Sequence, residues 1–370
     1  MRIELRRRTG GASLLREVAS PVIAVAFTAL VGAGLFALLG KPPLSALHAY
    51  FIEPLSDIWS LHELAVKAAP LILIAVGLSA CYRANVWNIG AEGQLVAGAI
   101  AGSAIPVLFP AATGPWLMPA MIVMAMAGGA AWASIPAVLK NRFGASEILV
   151  SLMLVYVAEL LLDYLVRGPW RNPEGYNFPE TRQFPPSARI GELFSAGDWG
   201  GRANWGIVIA IAIAVLTWLL LSRTLKGFEI SVSGASPRAA RFAGFDARAT
   251  ALFVFLFSGA LAGLAGMIEV SGAIGQLRPS ISPGYGFAAI IVAFLGRLNP
   301  LAVILAGLLL ALTYLGGEAA QMSLGLSDRT TRVFQGVLLF SVLASETLVR
   351  YQIRIVRNRP ADAALPEAAR

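Results

Sequence analysis

Long uncharged stretches broken by short polar punctuation set the pattern of this chain. Apolar runs occupy 21–40, 64–82, 92–109, 116–139, 145–166, 205–222, 249–268, 287–296, 301–317 and 333–348. Most approach the roughly 20 residues a helix needs to cross a bilayer. Between 93 and 139 no charged residue occurs, more than one crossing requires, and Pro106, Pro110 and the pair Gly114-Pro115 supply the turn that folds this stretch into two spans. Gly98, Gly102, Gly128, Gly129 and Ala130 give both the small side chains that let membrane helices approach closely. The pattern predicts an all-α integral membrane protein of about ten transmembrane helices with both termini cytoplasmic.

Composition agrees. Of 370 residues, 57% are hydrophobic and 14% charged, against roughly 25% charged in soluble domains; mean hydropathy is +0.71. The lipid bilayer is therefore the first partner. A net charge of +8 raises nucleic acid as another, but the arginines cluster at the ends of apolar runs and form no stripe interleaved with aromatics, so no nucleic-acid partner is expected. Short cytoplasmic segments collect Lys and Arg, and topology accounts for the excess. The layout is a basic cytoplasmic arm over 1–17, a single transmembrane domain over 18–349 and a cytoplasmic tail over 350–370. Within it lie an outer loop at 167–204 and a cytoplasmic segment at 223–248. Arg6, Arg7 and Arg8 before the first run resemble a signal sequence, but the run is long enough to span and Lys41-Pro42-Pro43 follows it, so a retained first helix is expected. Cys81 is the sole cysteine and reads as a buried spectator thiol. His48 and His62 are too few for a histidine-rich metal site and are expected at the outer interface. Lys67, in the first turn of the second span, is expected to snorkel outward.

One stretch does not suit hydrocarbon: Asn85-Val86-Trp87-Asn88-Ile89-Gly90-Ala91-Glu92-Gly93-Gln94, between the second and third spans. Polar groups at this depth belong in a cavity or a helix break inside a bundle, which makes Asn85, Asn88, Glu92 and Gln94 candidates for a solute pathway, on it or just behind it. Two plainer readings stand beside this one. Asn85 and Asn88 suit the start of the next helix as caps, with Glu92 in its first turn, and Glu92 suits Arg83 as an ion partner. Glu159 and Asp163, one helical turn apart, share a face of the fifth span that should turn inward or toward outer water. After the seventh span a second polar break, 272–286, precedes a shortened span. Interruptions at corresponding places in two halves of about five spans point to a 5+5 inverted repeat. On the cytoplasmic side, Ser236 and Pro237 begin a short helix that Gly244 ends; it reads either as an interfacial helix or as one that docks in a groove.

Catalytic signatures are missing from the sequence: it has no Gly-Lys-Ser or Gly-Lys-Thr phosphate loop, no His-Glu-x-x-His, no cysteine pair and no Gly-x-Ser-x-Gly elbow. A pathway fits better than a reaction centre, and its energy must come from elsewhere. An ion-coupled secondary transporter or channel acting without an ATPase is the alternative, kept open by Glu92 and Glu159.

Asn88-Ile89-Gly90-Ala91-Glu92-Gly93-Gln94 resembles the signature of permease subunits of bacterial ABC importers for simple sugars and nucleosides. In the same order, 145–154, Gly168-Pro169-Trp170, 234–245, Tyr285-Gly286-Phe287 and Leu295-Gly296-Arg297-Leu298-Asn299-Pro300 resemble that family, and the outer loop looks closest to its guanosine-type branch. Ser236 and Val155 stand where related chains often carry asparagine. The resemblance implies alternating access for a nucleoside or simple sugar in the inner membrane, with no enzyme activity and no cofactor in this chain. ATP would be hydrolysed by an ABC ATPase subunit. The further implied partners are a second homologous permease, as a homo- or heterodimer, and an extracytoplasmic substrate-binding lipoprotein. It also makes 236–244 a coupling helix: Gly234, Ser236, Ala239, Ala240 and Gly244 would carry the ATPase contact, the small residues letting backbones approach.

Overall fold

A computed structural model describes residues 2–7, 14–194 and 201–356. Helix α1 (Leu14–Leu38) leads through the short α2 (Pro43–Phe51) to α3 (Ile58–Arg83), α4 (Ala91–Leu108), α5 (Leu117–Phe143) and α6 (Glu147–Arg167). Beyond the outer loop follow α7 (Gly206–Arg223), α8 (Leu225–Ala235), α9 (Pro237–Phe242) and α10 (Ala247–Ile268). The chain ends through α11 (Tyr285–Leu295), α12 (Pro300–Leu324) and α13 (Asp328–Arg350). Among the described residues, seven helices are long and apolar enough to cross a membrane, namely α3 to α7, α10 with its extension, and α12. Val25–Leu38 and Tyr285–Leu295 are shorter apolar helices.

Local chemistry explains most boundaries. Asp57 caps α3 by accepting from the Ser60 amide at 2.8 Å, Ser146 caps α6 and Asn299 caps α12 ahead of Pro300 at its first position. The α5 helix stops at Gly144 and α12 at Gly325, both left-handed. The core sits on α3, whose apolar window is 83% buried, against 22% for α6, so α6 lies at the rim. The α4, α5 and α10 helices cross at Gly98, Gly129 and Gly263, where a Cβ on any one would overlap a neighbouring helix backbone. Only glycine permits that approach.

Four features go beyond the sequence reading. The seventh span does not end at Ile268: α10 runs on as a π-helix through Glu269–Ile274. The arm and tail are not wholly irregular, because β1 (Arg2–Arg7) pairs antiparallel with β2 (Tyr351–Val356), Arg2 opposite Val356. A full helix, α8, occupies the connector after α7. Thr224 caps it by accepting from the Gly227 amide at 3.2 Å, and Gly227, Ile230 and Ser233 form its buried face. The loop between α6 and α7 is docked as well: Thr181, Phe184 and Ile190 donate backbone hydrogen bonds to Leu277, Gly275 and Ser271.

Candidate functional site

The break between α3 and α4 folds around one amide. Asn88 is fully buried, and all four of its hydrogen-bonding positions are used. Its Nδ2 donates to Gln94 Oε1 at 2.9 Å and to Ser258 Oγ at 3.2 Å, and its Oδ1 accepts from Gln94 Nε2 at 2.9 Å and from the Gly90 amide at 3.1 Å. This reciprocal pair clamps the loop onto α4 and α10, so Asn88 and Gln94 stand behind the cavity described below. Asn85 is exposed with φ +55°, a left-handed position asparagine tolerates. Neither asparagine caps α4, whose cap residue is Gly90 with no side-chain bond.

Glu92 is brought elsewhere. Its Oε2 accepts from the Gly286 amide at 2.5 Å, so the first turn of α4 meets the first turn of α11. The two interrupted starts that the sequence set in corresponding halves therefore touch. A Glu92–Arg83 pair does not form: Arg83 Nε donates to the Leu298 carbonyl at 2.9 Å. Beside Glu92 opens a cavity of about 480 Å³, walled by Val96 of α4, by Tyr156, Glu159 and Asp163 of α6, and by 279–282. Glu159 is exposed on the rim helix, while Asp163 holds Arg167 at 2.7 Å. The wall is rich in hydrogen-bond acceptors, suited to a solute that offers hydroxyl or amino donors. Ser258, Tyr156, Ser280 and Ser282 complete these arrangements and carried little sequence signal beyond being polar or bulky near an interruption.

At the start of α3 His62 is buried and stacks on Phe194 at 5.3 Å, against the expectation of an interfacial histidine; His48 is exposed. Lys67 does not simply snorkel but binds Glu318 at 2.8 Å. Cys81 is buried. No cluster able to hold a metal occurs among the described residues.

The 223–248 segment has a buried and an outward part. Ser236 caps α9 by accepting from the Ala239 amide, and Gly244 follows with φ +80°. Ser236, Ala239 and Gly244 are exposed, whereas Ala240 is buried against the protein's own body. Phe242, an aromatic at the end of this helix, is 94% exposed. Gly234 lies on α8 against the Arg83 carbonyl. The segment is anchored through Glu229, which binds Lys226 at 2.9 Å and accepts from the Thr250 hydroxyl. Burial pushes the Glu229 carboxyl up, but the Thr250 hydroxyl and Lys226 outweigh it and hold the group below the usual carboxylate range.

A multi-pass helical membrane domain with a polar cavity at a helix break has the make-up of a permease. Residues 60–343 match the family described as branched-chain amino acid transport system, permease component, and the chain belongs to that family: it is a transport subunit and not an enzyme. It is 36% identical to the glucose ABC transporter permease protein of Haloferax volcanii, over 98% of each chain. The nucleoside ABC transporter permease protein of Lactococcus lactis is 27% identical over 88% of this chain and 91% of its own, and the guanosine ABC transporter permease protein of Bacillus subtilis 28% identical over 93% and 97%. A solved metal-chelate type ABC transporter in an inward-facing conformation covers 90% of this chain and 99% of its own at 17% identity and a TM-score of 0.44, a likeness too loose to define the fold.

Proposed function

We propose that this permease imports a nucleoside or simple sugar across the inner membrane by alternating access, driven by an ABC ATPase subunit. The observation that carries the reading is the cavity beside Glu92, open at Glu159 on the rim helix. A carboxylate exposed on a membrane-spanning helix cannot rest against acyl chains at tolerable cost. A second homologous permease facing α6 would cover it and turn the cleft into a shared pathway. Glu92 and Glu159 are the wall residues, with Asn88 and Gln94 holding the wall and Asn85 at its cytoplasmic edge. The names of the relatives support a glucose-like or nucleoside solute. Its hydroxyls would donate to the carboxylates.

Ser236, Ala239, Gly244 and the exposed Phe242 form the face offered to the ATPase, and Gly234 and Ala240 fix α9 to the body. An aromatic ring so exposed on a short helix is the type of anchor that a groove takes up. The docked outer loop is the platform for an extracytoplasmic substrate-binding lipoprotein. A 5+5 inverted repeat of about ten spans, with both ends cytoplasmic, accounts for the meeting of α4 and α11.

A radiolabelled uptake panel of nucleosides, pentoses and glucose, in cells with and without this chain, tests the reading. Uptake of one class should vanish without the chain and persist when a protonophore collapses the proton gradient while ATP is maintained. Uptake that falls with the gradient instead makes the protein an ion-coupled transporter.

A further inference from the structure

The segment joining α3 to α4 grips α11 at both ends. At the cytoplasmic end Arg83 Nε holds the Leu298 carbonyl at 2.9 Å, and the Tyr82 and Trp87 rings stack on Phe294 at 5.1 and 6.3 Å. At the other end Glu92 Oε2 holds the Gly286 amide, and a Cβ on Gly286 would overlap the Glu92 backbone. Between the grips α11 is 11 residues long, a rod of about 16 Å. A body that short does not bend, so its ends move together.

A third contact joins this rod to the cytoplasmic segment. A Cβ on Gly234 would overlap the Arg83 carbonyl oxygen, so α8 presses on the main chain of the residue whose side chain holds α11. Ser236 alone separates α8 from α9. The turn receiving Arg83 is itself unusual: Arg297 and Leu298, neither of them glycine, have φ +52° and +58°. Backbone of this kind persists where its surroundings hold it and concentrates in switch regions. The Leu298 amide donates to the Ala293 carbonyl at 2.8 Å, which fastens the turn to the last turn of α11.

We propose that Arg83 is a positioning residue that makes α11 a rigid link between the cytoplasmic docking helix and the cavity wall. Displacement of α9 and α8 carries Arg83, Arg83 draws Leu298, α11 follows as a body, and its N-terminal end shifts Glu92. The proposal rests on the ATPase-driven reading above, and its test separates the two.

Ser280→Cys puts a thiol on the exposed cavity wall, with Cys81 too buried to compete. Labelling by a water-soluble maleimide is timed in the complete reconstituted transporter, without nucleotide and with ATP plus vanadate. With Arg83 present the two rates should differ about tenfold, and with Arg83→Met, which keeps the packing of the stem but not the donor, they should agree within about twofold. Arg83→Lys, which keeps a donor, should restore the difference. Gly234→Leu, which wedges α8 off α3 and leaves the Arg83 side chain alone, should abolish it from the other side of the contact. A full difference in either Arg83→Met or Gly234→Leu overturns the link. Rates that ignore nucleotide with Arg83 and Gly234 intact overturn the ATPase-driven reading itself.

Discussion

A primary amide among apolar helices is tolerated when its two donors and its acceptor oxygen are all engaged, and Asn88 meets that condition through Gln94, Ser258 and the Gly90 amide. Asn88→Leu therefore does more than remove a polar group near the cavity: it strands the Gln94 amide where water cannot reach it. The expected loss is about 1–3 kcal/mol of stability, read as a lower thermal midpoint of the purified protein, and Asn88→Leu with Gln94→Leu should recover part of it. An unchanged midpoint in the single variant would show that the clamp is dispensable. The stretch holding Asn88 was legible in the sequence because two long apolar spans flank it. What was not legible is the division of labour inside it. Gln94 pairs back across the loop and Ser258 arrives from 170 residues away, so local order alone could not separate the clamp from the wall. Glu159 was visible as an acid deep in a span, but its meeting with Glu92 depends on how α6 packs.

At the scale of elements, the apolar runs recovered α4, α6 and α7 to within two residues, along with α9 and its stop at Gly244, whereas α1 and α3 begin well before, and α12 ends well beyond, the expected bounds. The α8 helix escaped because its sequence, with Gly227 and Gly234 and alternating small polar residues, has weak helix propensity and no long apolar run. Its stability comes from Thr224 at the cap and from the Glu229 anchor to Lys226 and Thr250. That anchor carries a pH signature. Because the folded Glu229 carboxyl titrates below its ordinary value, its contribution is full above about pH 5, beyond the unfolded carboxyl's own titration near 4.3, and drains away as pH falls through the folded value. Limited proteolysis of the 223–248 segment should therefore be flat from about pH 5 to 8 and accelerate only in stronger acid, with Glu229→Gln already fast at neutral pH. Equal rates in Glu229→Gln and the unmodified protein at neutral pH would remove the anchor from the account. The π-extension of α10 was equally hidden, since Glu269–Ile274 reads as an ordinary break next to the glycines.

Across the whole molecule, burial is lopsided. The α3 and α10 helices are enclosed by their neighbours, while α5, α6 and α7 keep most of their apolar windows outward. Lipid covers apolar side chains of that kind without penalty. It does not cover Glu159, which shares its helix with Tyr156 and Leu160 at 56% and 70% exposure and opens the cavity toward the place where a second subunit would sit. Everything proposed about transport depends on that opening being wet. The most direct measurement is thiol labelling of Glu159→Cys in native membranes by a membrane-impermeant maleimide, with Leu219→Cys on the outward face of α7 as the lipid-facing comparison. The account predicts rapid labelling at 159 and none at 219. Labelling at 159 only by a lipid-soluble reagent, as at 219, would contradict it.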